Sequence, residues 1–370
     1  MNKDLVKKIL LFCLVGVMVF SFAACGGSGN QQDGDTGSQQ DGDTGSQSEG
    51  ESKPLPEEIN FGILRVPNDE TIAMVEDYFE DYFGEKGVET NFTVFDSGAE
   101  ANQALASGSI DFATVGNVNA VTALARDLNV ELVWIHEVLG EIEALAAKEG
   151  SGINEIEDLA GKKVAVPFAS TCHYVLLNAL DNAGVAEDVQ LLDMKTTEIV
   201  AAWKRGDIDA AYVWQPSLGE ILETGKVIIS SEEMAERGYV TANVEIVNKD
   251  FAEKYPHVVT SFITMLSEAA DIYRENPEQG AEIVAETLEI TPEEALKQMQ
   301  GSTWYNREDQ ISQQFFGTSD SPGDFAKIMK ETSDFLQEQD SIDESPSQEE
   351  YNEYVNPEYI EQSLENTKGK

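Results

Sequence analysis

The fold is decided by the stretch 164–174, which reads Val164-Ala165-Val166-Pro167-Phe168-Ala169-Ser170-Thr171-Cys172-His173-Tyr174. An apolar run ends at a proline, two good helix-capping residues follow, and apolar side chains then recur at helical spacing. This pattern predicts a buried parallel strand, a polar turn and a helix start. The first N–H groups of a helix have no partner inside it, so this turn suits an anion. An ordinary capped turn fits the same residues.

The same alternation of strand and helix patterns runs through most of the chain. It extends from about Glu57 to residue 136, and it resumes from Lys162 to Leu222. Such alternation predicts βαβ units, and therefore α/β architecture with mostly parallel sheets flanked by helices. Segments 104–115 and 202–213 echo each other, each with a helix end, a glycine, an Ile-Asp pair and a strand, which favours two similar halves.

The last third of the chain has a different pattern. A strand is predicted at Ala242–Val247, and helical patterns then run to about residue 338. The remaining segment, 341–370, is acidic and poorly periodic, so it is predicted to be a tail. Its tyrosines could hold part of it against the surface; they are Tyr351, Tyr354 and Tyr359.

Composition excludes several classes of partner. The 370 residues suffice for two domains, and 69 acidic against 24 basic side chains give a net charge of -45. Such a surface repels nucleic acid, so no nucleic-acid partner is expected, and a purely anionic ligand gains nothing from long-range attraction. Three cysteines (Cys13, Cys25 and Cys172) cannot form a disulfide framework, and three scattered histidines lack metal-ligand spacing. We therefore expect no metal and no cofactor.

The first 56 residues are predicted to be a targeting segment and a linker. Residues 1–24 combine a basic start, an apolar run and small residues before Cys25, which is typical of a secretory signal. The apolar run is shorter than the roughly 20 residues that a membrane-spanning helix needs. Residues 25–56 contain the repeat QQDGDTGS at 31–38 and 39–46 and form a predicted flexible tether.

Taken together, these motifs resemble the substrate-binding lipoproteins of ABC importers, in the taurine and alkanesulfonate group. The resemblance extends from Ile59 to Leu336 and rests on 95–99, 104–108, 143–145, 165–174, 199–216 and 249–254. It implies a two-lobed, periplasmic-binding-protein-like fold of type II. Lobe 1 would comprise 57–145 and 242–340, and lobe 2 would comprise 146–241. A hinge would lie near Glu143–Lys148 and Thr241–Val247.

The resemblance also implies a function and a location. The chain would be a monomer held outside the cytoplasm, on the outer face of the bacterial cell membrane, by lipid on Cys25. It would capture a small zwitterionic or anionic ligand, such as taurine or an alkanesulfonate, and deliver it to an ABC permease.

The resemblance further implies a set of ligand-binding residues. Ser170, Thr171 and Cys172 would bind the sulfonate together with Gly116 and Asn117, and His173 could add a donor or simply pack on the helix. Glu143 would bind an ammonium group or hold the hinge. Trp214 would close over the ligand or fill the core.

Some residues depart from the family pattern. Asn243 stands where the taurine group has an acid for the amine, and Glu245 lies two residues on, on the same face of the strand. Arg65 follows the first strand, where it could grip an anion at the rim of the cleft or remain solvated. Asn117 and Asn119 replace small hydroxyl residues. These departures put taurine itself in question more than the transport role.

An enzyme is the rival class that the sequence least favours. Adjacent Cys172 and His173 would diverge by about 100° on a helix, so they do not form a catalytic pair. No GxSxG, HExxH or P-loop motif is present. Two alternatives remain open: a binding protein of the same fold for another small anion or a pyrimidine, and a sensor that reports its ligand.

Overall fold

The computed structural model of the chain describes residues 54–368. The predicted signal segment 1–24, the lipidation site Cys25 and all but the end of the predicted tether lie outside these residues. The strands are β1 (Glu58–Leu64), β2 (Glu89–Phe95), β3 (Phe112–Gly116), β4 (Val130–Leu139), β5 (Glu143–Lys148), β6 (Lys163–Val166), β7 (Gln190–Asp193), β8 (Ala210–Trp214), β9 (Gly225–Ser230), β10 (Ala242–Asn248), β11 (Ser302–Trp304), β12 (Gly317–Thr318) and β13 (Ser321–Pro322).

The helices alternate with the strands in the first part and dominate after β10. They are α1 (Asp69–Val75), α2 (Tyr78–Tyr82), α3 (Gly98–Ser107), α4 (Asn117–Ala125), α5 (Thr171–Ala183), α6 (Thr196–Arg205), α7 (Ser217–Leu222), α8 (Ser231–Ala235), α9 (Lys249–Lys254), α10 (Pro256–Glu275), α11 (Pro277–Leu288), α12 (Pro292–Met299), α13 (Arg307–Gln310), α14 (Asp324–Glu338), α15 (Gln348–Tyr354) and α16 (Glu358–Lys368). None of the helices within 54–368 combines the length and the apolar character needed to cross a membrane.

Two mixed sheets organise the described chain and confirm the predicted α/β class. Sheet one has the strand order β11-β4-β10-β3-β1-β2, and sheet two has the order β7-β6-β8-β5-β9. Parallel pairing joins β1 to β2 and β3, and β6 to β7 and β8. The sheets are mixed because β10 and β5 run antiparallel to both of their neighbours.

The chain crosses between the sheets through short segments. Sheet two takes all its strands from residues 143–230, whereas sheet one takes its strands from 58–139, 242–248 and 302–304. The segments expected to form a hinge are themselves strands, β5 and most of β10. The linking residues are 140–142 on the outward path and 236–241 on the return.

One predicted helix is divided in the structure. The pattern at 71–83 predicts a single helix, but α1 ends at Val75 and α2 begins at Tyr78. The break occurs at Asp77, whose φ of 63° is left-handed. Aspartate tolerates this backbone conformation better than most residues, so amphipathic spacing alone does not reveal the turn.

Aromatic packing anchors the helices on sheet one. Phe61 of β1 contacts Phe79, Phe92, Phe112 and Phe262, with ring centroids 5.1–5.5 Å apart. All but the partly buried Phe92 are buried. Because burying such a side chain contributes roughly 1.5–3 kcal/mol, this cluster fixes the orientation of β1 and of the loop that follows it.

The segment predicted to be an acidic tail is folded, and its aromatic side chains are buried instead of lying on the surface. It forms α15 and α16, and Tyr351, Tyr354 and Ile360 are fully buried. The Tyr354 hydroxyl donates to the carbonyl of Ala120 at 3.0 Å. Apolar residues on one face of each helix therefore close the core of sheet one, while the acids face outward.

The two sheets meet where α4 and α5 begin. Asn119 donates from Nδ2 to the Ala169 carbonyl at 2.8 Å. Gly116, at the end of β3, lies so close to Thr171 that a Cβ on the glycine would be 2.8 Å from Thr171 Cγ2. At the rim, Lys195, which precedes α6, pairs with Asp96 and Glu100. This junction brings the helix start predicted to bind an anion against the edge of sheet one.

Candidate functional site

Buried polar side chains lie at one end of the strands of sheet one, the end that faces this junction; we call this end the edge of sheet one. The parallel strands β1 and β3 end at this edge, and the antiparallel β10 begins there. In the strand register, Asn243 lies opposite Gly116 and Glu137, and Glu245 lies opposite Thr114. Alternate residues of a strand share a face, so these side chains form two rows, one at the edge and one deeper.

The deeper row is built around His136, which is completely buried. Its Nδ1 contacts Asp69, and its Nε2 lies 2.9 Å from Glu245 Oε2. The indole N–H of Trp134 donates to the other oxygen of Asp69 at 2.8 Å. Burial lowers the pKa of His136, but the two carboxylates outweigh it and hold that pKa well above the usual range. With an acceptor on each nitrogen, His136 is an imidazolium that donates twice.

Thr114 joins this group to Glu70. Its hydroxyl oxygen lies 2.6 Å from Glu70 Oε2 and 3.1 Å from Glu245 Oε2. Burial, reinforced by the charge of Glu245, raises the pKa of Glu70 to about 8. Because one hydroxyl hydrogen cannot serve two carboxylates, protonated Glu70 donates to Thr114, and Thr114 donates to Glu245.

The row at the edge consists of Glu137 and Asn243. Asn243 donates from Nδ2 to Glu137 Oε1. Burial raises the pKa of Glu137 to about 8, with Asp69 and Glu143 adding to the rise and His136 and Asn243 opposing it. The taurine group has an acidic residue at position 243. In this chain Asn243 instead holds the carboxylic acid of Glu137 next to that position.

Glu143 faces these rows from sheet two. Its Oε1 accepts from the Thr171 hydroxyl, and its Oε2 accepts from Ser231 at 2.9 Å and Thr241 at 3.4 Å. The Cys172 thiol also donates to it, and burial raises its pKa against the effect of these donors. Four donors use the lone pairs of the carboxylate, so the structure does not support the expectation that Glu143 binds an ammonium group. It holds the start of α5 against β5 and β10.

Cys172 is equally enclosed. Its side chain is buried, and burial together with the charge of Glu143 raises the pKa of its thiol well above the usual value. A thiol held protonated in this way is neither a nucleophile nor a metal ligand. Thr171, by contrast, is the residue of the helix start that faces Gly116 across the junction.

Two other residues of this turn serve the helix itself. Ser170 accepts from the His173 N–H at 3.2 Å and donates to the Pro167 carbonyl at 2.6 Å, so it is the N-cap of α5. His173 stacks on the exposed Phe168, with ring centroids 4.4 Å apart. Burial lowers the pKa of His173 to about 4 against the effect of Asp193, so its ring is neutral at neutral pH. The structure thus favours the packing role for His173.

Three residues predicted to bind the ligand remain to be placed, namely Asn117, Arg65 and Trp214. Asn117 is buried, accepts from the Ala242 N–H at 3.2 Å and donates to the Val240 carbonyl at 3.4 Å, so it fixes the entry into β10. Arg65 is exposed and pairs with Glu289 at 3.5 Å. Within residues 54–368, no hydrogen bond or ion pair joins Arg65 to the other predicted site residues. Its role in gripping an anion stays a prediction. Trp214 lies partly buried opposite Glu143 in the register of β5 and β8.

Sequence reasoning missed most of the cluster on sheet one. The missed members are Asp69, Glu70, Thr114, Trp134, His136 and Glu137. Two signals were available: an acid pair at 69–70, in the segment that follows the first strand, and charged residues inside otherwise apolar strands at 136–137 and 245. A charged residue in a strand that is buried on both faces requires a partner. In the described part of the chain, no three of its acidic, histidine and cysteine side chains are arranged to hold a metal ion.

Comparison with known proteins gives three results. A family model described as NMT1/THI5 like matches residues 74–280, more than half of the chain. The chain is 33% identical over 284 residues to a taurine-binding periplasmic protein of Escherichia coli (strain K12), and the match spans 75% of this chain and 85% of that protein. The fold is also that of the periplasmic aliphatic sulphonate binding protein from Escherichia coli, with 21% identity, a TM-score of 0.67, and 80% of this chain and 92% of that chain covered.

A further solved structure is similar in fold alone. A desulfurization enzyme matches with 17% identity and a TM-score of 0.60, covering 84% of this chain and all of that chain (100%). The predicted resemblance to taurine and alkanesulfonate binding proteins and the predicted two-lobed fold are confirmed. Because the fold is also found in an enzyme, it does not by itself distinguish binding from catalysis.

Proposed function

Because this chain belongs to the NMT1/THI5-like family, we propose that it is the solute-binding component of an ABC importer. It captures taurine or a related small sulfonate between its two lobes and delivers it to a membrane permease. The observation that carries this proposal is the match to a taurine-binding periplasmic protein over three quarters of the chain (75%).

The geometry of the junction supports a binding role. Thr171, at the start of α5 in sheet two, faces Gly116 at the end of β3 in sheet one. Free N–H groups at the start of this long helix suit the oxygens of a sulfonate. The polar rows on sheet one lie directly across the junction. A ligand held between the sheets touches both, and this favours the closed arrangement of the lobes.

The rest of the proposal concerns the whole chain. One lobe comprises 57–142 with 242–368, and the other comprises 143–241. These bounds differ from the predicted 57–145 with 242–340 and 146–241, because all of β5 lies in sheet two and α15 and α16 pack on sheet one. The protein acts as a monomer outside the cytoplasm, attached to the outer face of the membrane by lipid on Cys25. It performs no catalysis: Cys172 is buried and protonated, and His173 is turned toward Phe168.

Calorimetric titration of the purified full chain with taurine tests the proposal. We expect a dissociation constant in the micromolar range or tighter, and a loss of at least tenfold, or about 1.4 kcal/mol, in Trp214→Ala. Absence of heat with taurine and with simple alkanesulfonates would refute a sulfonate ligand. Unchanged affinity in Trp214→Ala would remove that side chain from the site.

A further inference from the structure

We infer that this chain selects its ligand by a cationic group, which binds to the buried carboxyl oxygens of Glu70, Glu137 and Glu245. The inference rests on the proposed function and deepens it, because it names the part of the ligand that decides recognition. It also assigns that part to residues of sheet one, in place of Glu143.

The first observation is a set of acceptors without donors. Glu70 Oε1, Glu137 Oε2 and Glu245 Oε1 are buried and have no hydrogen-bond partner within residues 54–368. The side chains of all three residues are almost completely buried. Within residues 54–368, the unpartnered buried donors at the same end of sheet one are Asn68 Nδ2 and, on β11 beside the end of β4, Ser302 Oγ and Trp304 Nε1. Leaving a buried carboxyl oxygen unpaired costs about 1–3 kcal/mol or more. Once the carboxyls are ionised, all three oxygens are acceptors, and together they suit a partner with several donors.

The second observation is a charge imbalance. Four acids surround the site, namely Asp69, Glu70, Glu137 and Glu245, and His136 is the one base among them in the described part of the chain. Its two N–H groups are already given to Asp69 and Glu245.

Cations elsewhere do not correct this imbalance. Arg65 and Lys195 are engaged in exposed ion pairs, with Glu289 and with Asp96 and Glu100. A buried anion must be paired or neutralised. Without a ligand, Glu70 and Glu137 are neutralised by their protons, and a cationic group of the ligand would take the place of those protons.

The arrangement of the rows gives the cation a direction of entry. Glu137 lies at the edge of sheet one beside Asn243, and Glu245 lies one row deeper, opposite Thr114. Glu70 contacts Thr114 from the first turn of α1. An ammonium group carries three N–H donors and an amidinium-type group carries more, which matches acceptors on three sides. The anionic end of a zwitterion then points back toward Thr171 at the start of α5.

Proton release accompanies such binding. The pKa of Glu70 and the pKa of Glu137 are both about 8, so both carboxyls hold protons at neutral pH. Glu70 faces Asp69, His136 and Glu245, and Glu137 faces Asp69, His136 and Glu143. A cation placed among these groups stabilises the ionised carboxylates, expels protons, and binds more tightly as pH rises from 6 to 8.

Titration of the full chain with three probes tests the inference. Taurine carries both charges, ethanesulfonate lacks the amine, and ethylamine lacks the sulfonate. We expect taurine to bind at least tenfold more tightly than ethanesulfonate, with proton release measured as a buffer-dependent heat. Glu137→Gln keeps the acceptor for Asn243, so it should fold, and it should lose at least tenfold in taurine affinity. Exposed Glu149→Gln should bind taurine like the wild type, and Glu70→Gln serves as a second variant.

The possible outcomes separate the two proposals. Equal affinity for taurine and ethanesulfonate, or undiminished taurine binding in both folded variants, would overturn the inference and leave a sulfonate-binding protein. Binding of ethylamine without either sulfonate would support the cation site and refute the sulfonate ligand. Binding of none of the three probes by folded protein would overturn both proposals.

Discussion

Replacing Glu137 with a residue that cannot ionise should change how the stability of the protein depends on pH. Burial raises the pKa of this carboxyl from 4.5 to about 8 in the folded state. Between these values the unfolded chain has lost the proton and the folded chain keeps it. The folded state binds more protons, so its stability falls as pH rises through this window.

The magnitude follows from the size of the rise in pKa. Each pH unit between 4.5 and 8 lowers the free energy of unfolding by about 1.4 kcal/mol, to a total of about 5 kcal/mol above pH 8. Below pH 4.5 both states are protonated and the group contributes nothing. Glu137→Gln cannot ionise, and its amide oxygen still accepts from Asn243. The variant should therefore gain stability relative to the wild type as pH rises.

Urea denaturation of the ligand-free full chain at pH 5, 6, 7 and 8 measures this difference. We expect the Glu137→Gln curve to separate from the wild-type curve by roughly 1 kcal/mol for each pH unit. The exposed Glu149→Gln variant should follow the wild type throughout. Parallel curves for Glu137→Gln and wild type would show that Glu137 is ionised in the folded state, and the account of the cluster would be wrong.

Three further changes test other parts of the structure. Gly116→Ala adds a methyl group 2.8 Å from Thr171 Cγ2, so overpacking of about 1–3 kcal/mol should weaken ligand binding about tenfold in calorimetry, and an added Thr171→Ser should restore it. Full affinity in Gly116→Ala alone would contradict the close approach of the two sheets. Ser170→Ala removes the N-cap of α5 and should lower the free energy of unfolding by about 1 kcal/mol in urea; an unchanged midpoint would mean that the cap contributes nothing. Tyr354→Phe removes the bond to the Ala120 carbonyl and should cost about 1 kcal/mol in the same assay, unless α15 is not docked on sheet one.

Local chemistry explains which elements the sequence predicts well. The start of α5 is predictable because its N-cap is a local interaction: the Ser170 hydroxyl accepts from the N–H of His173, three residues further along the chain. The apolar run 210–214 lies between a helix-ending glycine and a proline and therefore predicts a strand, and β8 covers these residues. The two sheets are therefore predictable, although their mixed pairing depends on where β5 and β10 insert.

The buried cluster is not predictable from local patterns. His136 meets partners 67 and 109 positions away, and only the folded sheet brings them together. A polar residue in a strand usually indicates a solvated face, and Glu245 follows that pattern in the sequence although it is fully buried. Glu143 is singled out by the resemblance as a residue that binds an ammonium group. In the structure its oxygens instead accept hydrogen bonds from neighbouring hydroxyl groups.

The discontinuity of sheet one has a consequence for the order in which the chain can fold. Every strand of sheet two is available once residue 230 has emerged from the ribosome or a translocation channel. Sheet one lacks its strand β10 until residue 248 is free, and α16 does not exist before the final residues. A nascent chain of about 235 residues thus carries an open edge on β3 and an uncovered apolar face, features that make incomplete chains prone to aggregation. The helices α15 and α16 are synthesised last, and they cover the core of sheet one, which is built mainly from the first part of the chain.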